Sequence, residues 1–479
     1  MNTSTIIMVV LALGSAGAAW SMRTQDLPPP KFEDTGEPLF AGFTDPTVAT
    51  NLEVVAWDEE DAKVVGFKVQ QTEGRWVIPS HNDYPADGTE RMGKAAASFI
   101  DVEKDRYYGD NPADHAAYGV LDPDGDEGKG DEKGQRITIK DASDTVLVDI
   151  IVGKEVPEKQ GFYYVREPGE AKRVYGCRLE LDISTKFEDW IEKDLLGVER
   201  DDFGMMMYDP YTVDEVEGRV TGFQPVVATV TDPANRREWS ADDKTEVPEG
   251  KVLDSMKVRQ MLTAMASLKI VGVRPRPQAR NMIEQQMLAQ DMKRKGFFAV
   301  GTPDGRVQLY GNEGMLSAIT DDGIVYTLLF GEVTYESGIA LTAGAEEGSE
   351  PGVMEEGVEP EGEGDTNKQA SRFMFVDVAY DPSQDSNLTP EPPPAEGAEG
   401  EAAASGDTDN AAKQAAGQQK AAKLRQRFDQ WFYVISDSSF KQIHKERDEL
   451  FKDAPEDGGA AGGGPPGGMP GGMPGFPPG

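Results

Sequence analysis

Cysteine is nearly absent. Cys177 stands alone among 479 residues, which excludes an intrachain disulfide and a cysteine-based zinc site; it reads as a small apolar filler beside strand residues. Histidine is almost as scarce: His81, His115 and His444 fall in different stretches, lack the paired spacing of metal ligands, and read as surface or loop residues. Basic side chains are outnumbered, 48 against 86 acidic ones, for a formal net charge of −38. Such a chain repels nucleic acid and anionic lipid, so neither is expected as a partner. Also missing are a G-x-S-x-G elbow, a Walker loop and an H-E-x-x-H helix. Carboxylates are so abundant that no pair stands out as acid and nucleophile. No catalytic residue, metal ligand or cofactor is assigned.

Charge is missing altogether from Met1 to Met22, where "IIMVVLALGSAGAA" fills Ile6 to Ala19. Ile6 to Met22 makes about 26 Å of helix, just enough to cross a bilayer core. An uncleaved anchor over residues 1–24 is expected. A cleaved signal peptide competes, because Ala16-Gly17-Ala18 has the small-x-small form of a cleavage site. Either way the rest of the chain is exported, behind a Pro-rich linker over 25–50.

What is present is repetition. "DTVLVDIIVGK" (Asp144 to Lys154) is echoed by "DGIVYTLLFGE" (Asp322 to Glu332): an acidic turn residue, an apolar run, a glycine and one charge. Each phrase closes a similar series. In the first, "KVVGFKVQQTEGRWVIP" is a hairpin turning at Glu73-Gly74. A helix follows with Met92, Ala95, Ala96, Phe99 and Ile100 on one face, then the strands "RITIK", "TVLVDIIVG", "GFYYVR" and "RVYGC", and "STKFEDWIEKDLL" as a closing helix capped by Ser184. In the second, a hairpin ends near Trp239, a helix places Val252, Met256, Met261, Leu262, Met265 and Leu268 inward, and "RVQLY", "MLSAIT", "IVYTLLFGE", "RFMFVDVAY" and "WFYVIS" follow. Trp76 to Pro85 and Trp239 to Pro248 both span nine residues, whereas Trp76 to Gly153 spans 77 and Trp239 to Gly331 spans 92. The stretch Ala279 to Gly296, a helix stopped by glycine, accounts for the excess as an insert.

The expected fold class is therefore α+β: two tandem homologous modules, each a mostly antiparallel sheet with packed helices, behind a transmembrane helix and interrupted by disordered segments. Residues 51–205 form the first module. The second comprises 206–340, a strand over 371–380, and a helix-strand-helix over 409–452. Acidic stretches over 341–370 and 381–408, and a Gly/Pro-rich tail over 453–479, contain too few large apolar residues to fold. Gly153 and Gly331 are expected to end their strands where another backbone comes close.

"DPDGDEGKGDEK" (Asp122 to Lys133) glances at a calcium loop, with Asp122, Asp124 and Asp126 at alternate positions. Its sixth residue is Glu127 where glycine is needed, and its twelfth is Lys133 where a bidentate glutamate belongs. A solvated acidic turn is the better account.

"GRWVIPSHNDYPADGTERMGKAAASF", "AYGVLDP", "VDIIVGK", "GFYYVR" and "RVYG" together resemble the bacterial domain of unknown function 4340, with Val120 inserted in the Tyr118-to-Pro123 turn; "LFGEVTYESG" and "WFYVISDSSFKQIH" resemble its long, two-module members. The resemblance covers roughly Glu53 to Lys452. It implies a single-pass protein of the bacterial inner membrane with its bulk in the periplasm, no established activity, and frequent company with ABC transporters of the gliding-motility type. The functional expectation is a non-catalytic scaffold or ligand-binding accessory with a protein partner in a membrane or envelope complex. The alternative is an exported, carboxylate-based hydrolase of envelope carbohydrate, which would require convergent acids in a deep cleft.

Overall fold

The computed structural model describes residues 34–454, apart from 59–61, 158, 170–171, 182, 215–218, 277, 302–306, 337, 344–369 and 390–401. The expected anchor, most of the acidic stretch 341–370 and nearly all of the Gly/Pro tail lie outside the described residues. The other stretch expected to be disordered, 381–408, is ordered at both ends: the strand expected over 371–380 runs from Ser371 to Asp385, and a helix spans Ala402–Phe428. Among the described residues no helix is long and apolar enough to cross a membrane. The architecture is α+β, with mostly antiparallel sheets and few helices. The chain divides into two compact units: Met1–Leu195 with Lys269–Pro275 and Tyr335–Ala370, and Leu196–Leu268 with Arg276–Thr334 and Ser371–Gly479.

The first unit is built on β1 (Ala49–Asp58), β2 (Lys63–Thr72), β3 (Arg75–Ile78), β4 (Tyr84–Pro85), β5 (Arg106–Gly109), β6 (Gln135–Asp141), β7 (Val146–Glu155), β8 (Phe162–Arg166) and β9 (Val174–Arg178). They form one sheet in the order β4-β3-β2-β1-β6-β7-β8-β9-β5. Glu73 and Gly74 both take positive φ (52° and 77°), which closes the β2–β3 hairpin with the twist a two-residue turn needs. The alternating pattern of β1 places Val54 opposite Phe67 and Ile137, and Ile137 opposite Ile150. All four are at most 3% exposed, so this row is the centre of the core. The helix Thr89–Ala97 buries Met92, Ala95 and Ala96.

In the second unit β10 (Phe203–Asp209) leads to the ribbon of β11 (Thr212–Asp214) and β12 (Arg219–Thr221), then β13 (Val226–Val230), β14 (Trp239–Ala241) and β15 (Lys251–Leu253). The helix Ser255–Ala266 follows, capped by Asp254, whose carboxylate accepts from the Met256 amide at 3.0 Å. The next strand in the chain, β16 (Gly272–Pro275), falls in the first unit. After the helix Met282–Arg294 come β17 (Phe297–Gly301) with β18 (Val307–Gly311), then β19 (Met315–Thr320), β20 (Asp322–Thr334), β21 (Ser371–Asp385), β22 (Trp431–Ser436) and β23 (Phe451–Asp453). Strands of its main sheet run β14-β13-β10-β19-β20-β21-β22. Its core row is Val226, Tyr208, Leu316, Leu328 and Val376, each directly opposite the next and at most 1% exposed.

The two echoed phrases are β7 and β20. Each has a neighbour on both sides, and Ile150 and Leu328 are fully buried. The glycines do not end these strands as expected; β7 runs on to Glu155 and β20 to Thr334. Instead each glycine sits in a register shift, between Val152 and Glu155 in one strand and between Phe330 and Val333 in the other. A bulge of this kind bends the strand without stopping it. The close backbone approach is present at both. A Cβ on Gly153 would run into the Tyr118 carbonyl and lie 2.8 Å from that of Gly119; one on Gly331 would run into the Lys295 carbonyl and lie 2.8 Å from the Phe297 ring.

"STKFEDWIEKDLL" is not a helix. Only a 3-10 turn forms, Phe187–Asp189, because the backbone groups a helix would pair are taken elsewhere: Trp190 Nε1 donates to Ser184 O at 2.7 Å, and the Trp190 carbonyl accepts from the Asp87 amide at 2.7 Å.

Candidate functional site

A pocket of the first unit lies where the acidic turn meets the end of β8. The helix His115–Tyr118 ends at Gly119, whose left-handed φ of 69° turns the chain inward so that Val120 is fully buried. The chain then re-emerges as the loop from Leu121 to Lys133. Its base is closed by two backbone bonds, Leu121 N to Glu132 O at 3.2 Å and Gly134 N to Leu121 O at 2.9 Å. Between this loop and the turn after β8 is a pocket of about 280 Å³, lined among others by His115, Asp122, Asp126, Glu127, Arg166 and Lys172.

Arg166 is the unusual member. It pairs in register with Ile151 on one side and Val174 on the other, two fully packed aliphatic positions that form a cluster with Val120. Yet it is a guanidinium, 6% exposed. Its Nε donates to Val120 O at 3.0 Å and its Nη1 to Glu167 O at 3.2 Å. Burial lowers its pKa, and the nearby Asp122 carboxylate opposes that shift. His115, expected at the surface, is 6% exposed, and its Nε2 donates to Lys172 O at 2.9 Å.

The calcium-like loop holds its own cation. Lys133 Nζ donates to Pro123 O at 2.9 Å and to Gly125 O at 2.7 Å, and sits 4.7 Å from the Trp57 ring centre. The twelfth residue therefore supplies a positive charge inside the turn instead of a carboxylate ligand. Among the described residues, no three His, Cys, Asp or Glu side chains are grouped as metal ligands. Millimolar calcium should leave the melting temperature unchanged, whereas Lys133→Met should cost about 1.5–3 kcal/mol, the worth of hydrogen bonds from a charged donor. A calcium-dependent rise in melting temperature would contradict this account of the loop.

The other candidate bases and nucleophiles are built into packing. His81, also expected at the surface, is 2% exposed; its ring stacks on Phe187 at 4.6 Å, with Nε2 2.9 Å from Thr342 Oγ1 and Nδ1 3.0 Å from Ser80 Oγ. Burial, then the charge of Arg274, lowers its pKa to about 4. His444 stacks on Phe440 at 4.7 Å, and burial lowers it to about 4 as well. Cys177 is fully buried in β9, where burial pushes its thiol up to about 12.

Sequence reading missed Arg166 and Lys172. The signal for Arg166 was available: in "GFYYVR" it stands two residues after Tyr164, so strand alternation puts both on one face. Lys172 carries no such signal.

Residues 76–286 match the family model described as a domain of unknown function, DUF4340. No curated protein and no solved structure matches the chain.

Proposed function

Because the chain belongs, through residues 76–286, to the family of the domain of unknown function DUF4340, we propose that it is a non-catalytic, ligand-binding accessory made of two copies of one module. In this reading the apolar N-terminal segment tethers it to the bacterial inner membrane. The bulk lies in the periplasm and serves a transport or envelope complex of the ABC type.

Duplication is supported by corresponding strand orders, β3-β2-β1-β6-β7-β8-β9 in the first unit and β14-β13-β10-β19-β20-β21-β22 in the second. The bulged glycines support it as well. In this alignment Gly119 corresponds to Gly296, each of positive φ and each just past a helix. The helix Met282–Arg294 is then an enlarged counterpart of His115–Tyr118, not an insert.

One contrast between the copies carries the binding reading. At the position of Arg166, the second copy has Phe375, opposite Leu329 and packed with Phe297 and Phe432 in an apolar cluster. A module that only had to fold would keep the apolar solution, since a buried charge adds no stability over a well-packed hydrophobe. The first copy keeps a guanidinium beside an open pocket whose lining includes Asp122, Asp126, Glu127 and Lys172, which is the arrangement of a recognition site.

The test is Arg166→Phe in the full-length chain, examined by chemical crosslinking in intact cells. The fold should be retained, with unchanged or higher melting temperature, while the wild type's crosslink to a membrane-complex protein disappears. An unaltered crosslinking pattern would refute the site. Hydrolysis of envelope glycan by the purified wild type, lost on carboxylate substitution, would favour the hydrolase alternative.

A further inference from the structure

The second unit carries a separate polar groove whose charge runs against that of the chain. The helix Ser255–Ala266 buries Val258, Met261, Leu262 and Met265. Its other face presents Met256, Arg259, Gln260, Thr263, Ala264 and Ser267, spaced at i, i+3, i+4, i+7, i+8 and i+11. This stripe floors a groove of about 480 Å³, completed by Arg200, Gln442 and Lys445. The lining contains three cations and no carboxylate.

In a chain of 86 acidic and 48 basic residues, cations normally find acidic neighbours. Arg200 does, donating to Asp201 at 2.8 Å. Arg259 and Lys445 do not: among the described residues the hydrogen bonds of their side-chain nitrogens go to backbone carbonyls, Ser255 O at 3.4 Å and Lys441 O at 2.5 Å. The nearby Glu449 is engaged instead by Lys257 at 3.9 Å and by the Glu446 amide at 3.3 Å. The outer face of the helix Thr89–Ala97 in the first unit differs. There Lys94 is held by Glu90 at 2.7 Å and Arg91 by Asp189 at 3.4 Å.

We propose that this groove binds an organic phosphomonoester. Two uncompensated cations balance the charge of about −1.5 to −2 that such a group carries near neutral pH, whereas a single carboxylate or phosphodiester would leave one cation unmatched. Arg259 supplies a planar fork suited to two phosphate oxygens, and Lys445 a point charge. Gln260 and Gln442 add amide donors. Thr263 and Ser267 contribute none, because their hydroxyls already donate to Arg259 O and Thr263 O, both at 2.8 Å. Met256, 52% exposed at the edge of the groove, offers an apolar contact to the carbon side of an ester.

Glycerol 3-phosphate, titrated calorimetrically into the full-length protein, should bind saturably and more tightly than inorganic phosphate. Vesicles containing phosphatidate, compared with phosphatidylcholine alone, test the same headgroup on a lipid. Retention by either source supports the site and identifies which one it uses. Arg259→Gln and Lys445→Gln should each weaken binding about tenfold, the equivalent of about 1.4 kcal/mol, with melting temperature unchanged. Arg75→Gln, on the exposed end of β3, should have no effect. Absence of saturable binding to both probes, or wild-type affinity in the two groove variants, overturns the proposal. Either result leaves the reading of the Arg166 pocket standing, because that test concerns another unit and another readout.

Discussion

Valine at Gly153 or at Gly331 should cost about 3 kcal/mol or more, lowering the melting temperature by roughly 6–12 °C or abolishing soluble expression. The reason is backbone, not side chain. At Gly153 the first added atom meets the carbonyls of Tyr118 and Gly119; at Gly331 it meets the carbonyl of Lys295 and the ring of Phe297. Neither carbonyl can withdraw cheaply. Tyr118 and Gly119 belong to the turn that buries Val120, and Lys295 ends a helix, its amide bonded to Asp291 O at 3.2 Å. Gly93 is the control. It lies inside the helix Thr89–Ala97 with open space where a Cβ would go, so Gly93→Ala should stabilise by about 0.5–1 kcal/mol. Thermal melts of the three variants decide the matter. Near-wild-type melting of either valine variant would show that the bulged glycines are dispensable.

Acid should destabilise the first unit strongly through His81. Its folded pKa of about 4 lies below the ordinary value of about 6.5, so between those limits the unfolded chain binds more protons. The stability held by the neutral ring is fully present above about pH 6.5 and is lost as pH falls toward 4, about 3 kcal/mol in total. The surroundings explain why the charged form is rejected. Phe187 stacks on one face, Phe67 meets the ring edge-on at 5.8 Å, and Arg274 adds like charge. Arg274 itself is 8% exposed, held by Glu336 at 2.5 Å and by Leu341 O at 3.0 Å. His81→Gln keeps hydrogen-bonding capacity and removes the titration. It should be less stable than wild type at pH 7 yet lose much less between pH 7 and pH 4. Parallel pH profiles for the two proteins would sink the assignment. His444, also depressed to about 4, gives the second unit a sensitivity of the same sign.

How much of this was legible in advance differs from element to element. Short alternating runs such as "RITIK" and "GFYYVR" read correctly as strands, because a period of two reports which face each residue shows, and that is a local property. The echo between β7 and β20 was readable for the same reason. "STKFEDWIEKDLL" read wrongly. Its buried Phe187, Trp190 and Ile191 have helical spacing, but Asp87, distant in the chain, takes the Trp190 carbonyl. The histidines were misplaced because burial of a polar ring depends on which partner arrives. His81 is covered by Phe187 and Thr342, neither of which its own neighbourhood in the chain reveals. For the candidate site, strand alternation could have exposed Arg166, whereas Lys172 and the groove cations Arg259 and Lys445 carry no local mark.

The sequence by itself determined the α+β class and the facing of short alternating strands such as β6, β7, β8 and β20, since these follow from side-chain periodicity and turn chemistry within a few residues; it passed over β10 and the ribbon of β11 and β12. It also determined the acidic balance and the lack of cysteine pairing. Only the tertiary structure decided that Lys269–Pro275 and Tyr335–Ala370 belong with the first unit, that Lys133 fills its own loop, that two glycines are bulges pressed by other backbones, and that two cations stand together without acids. Each of these depends on contacts between residues far apart in the chain, which local periodicity does not encode.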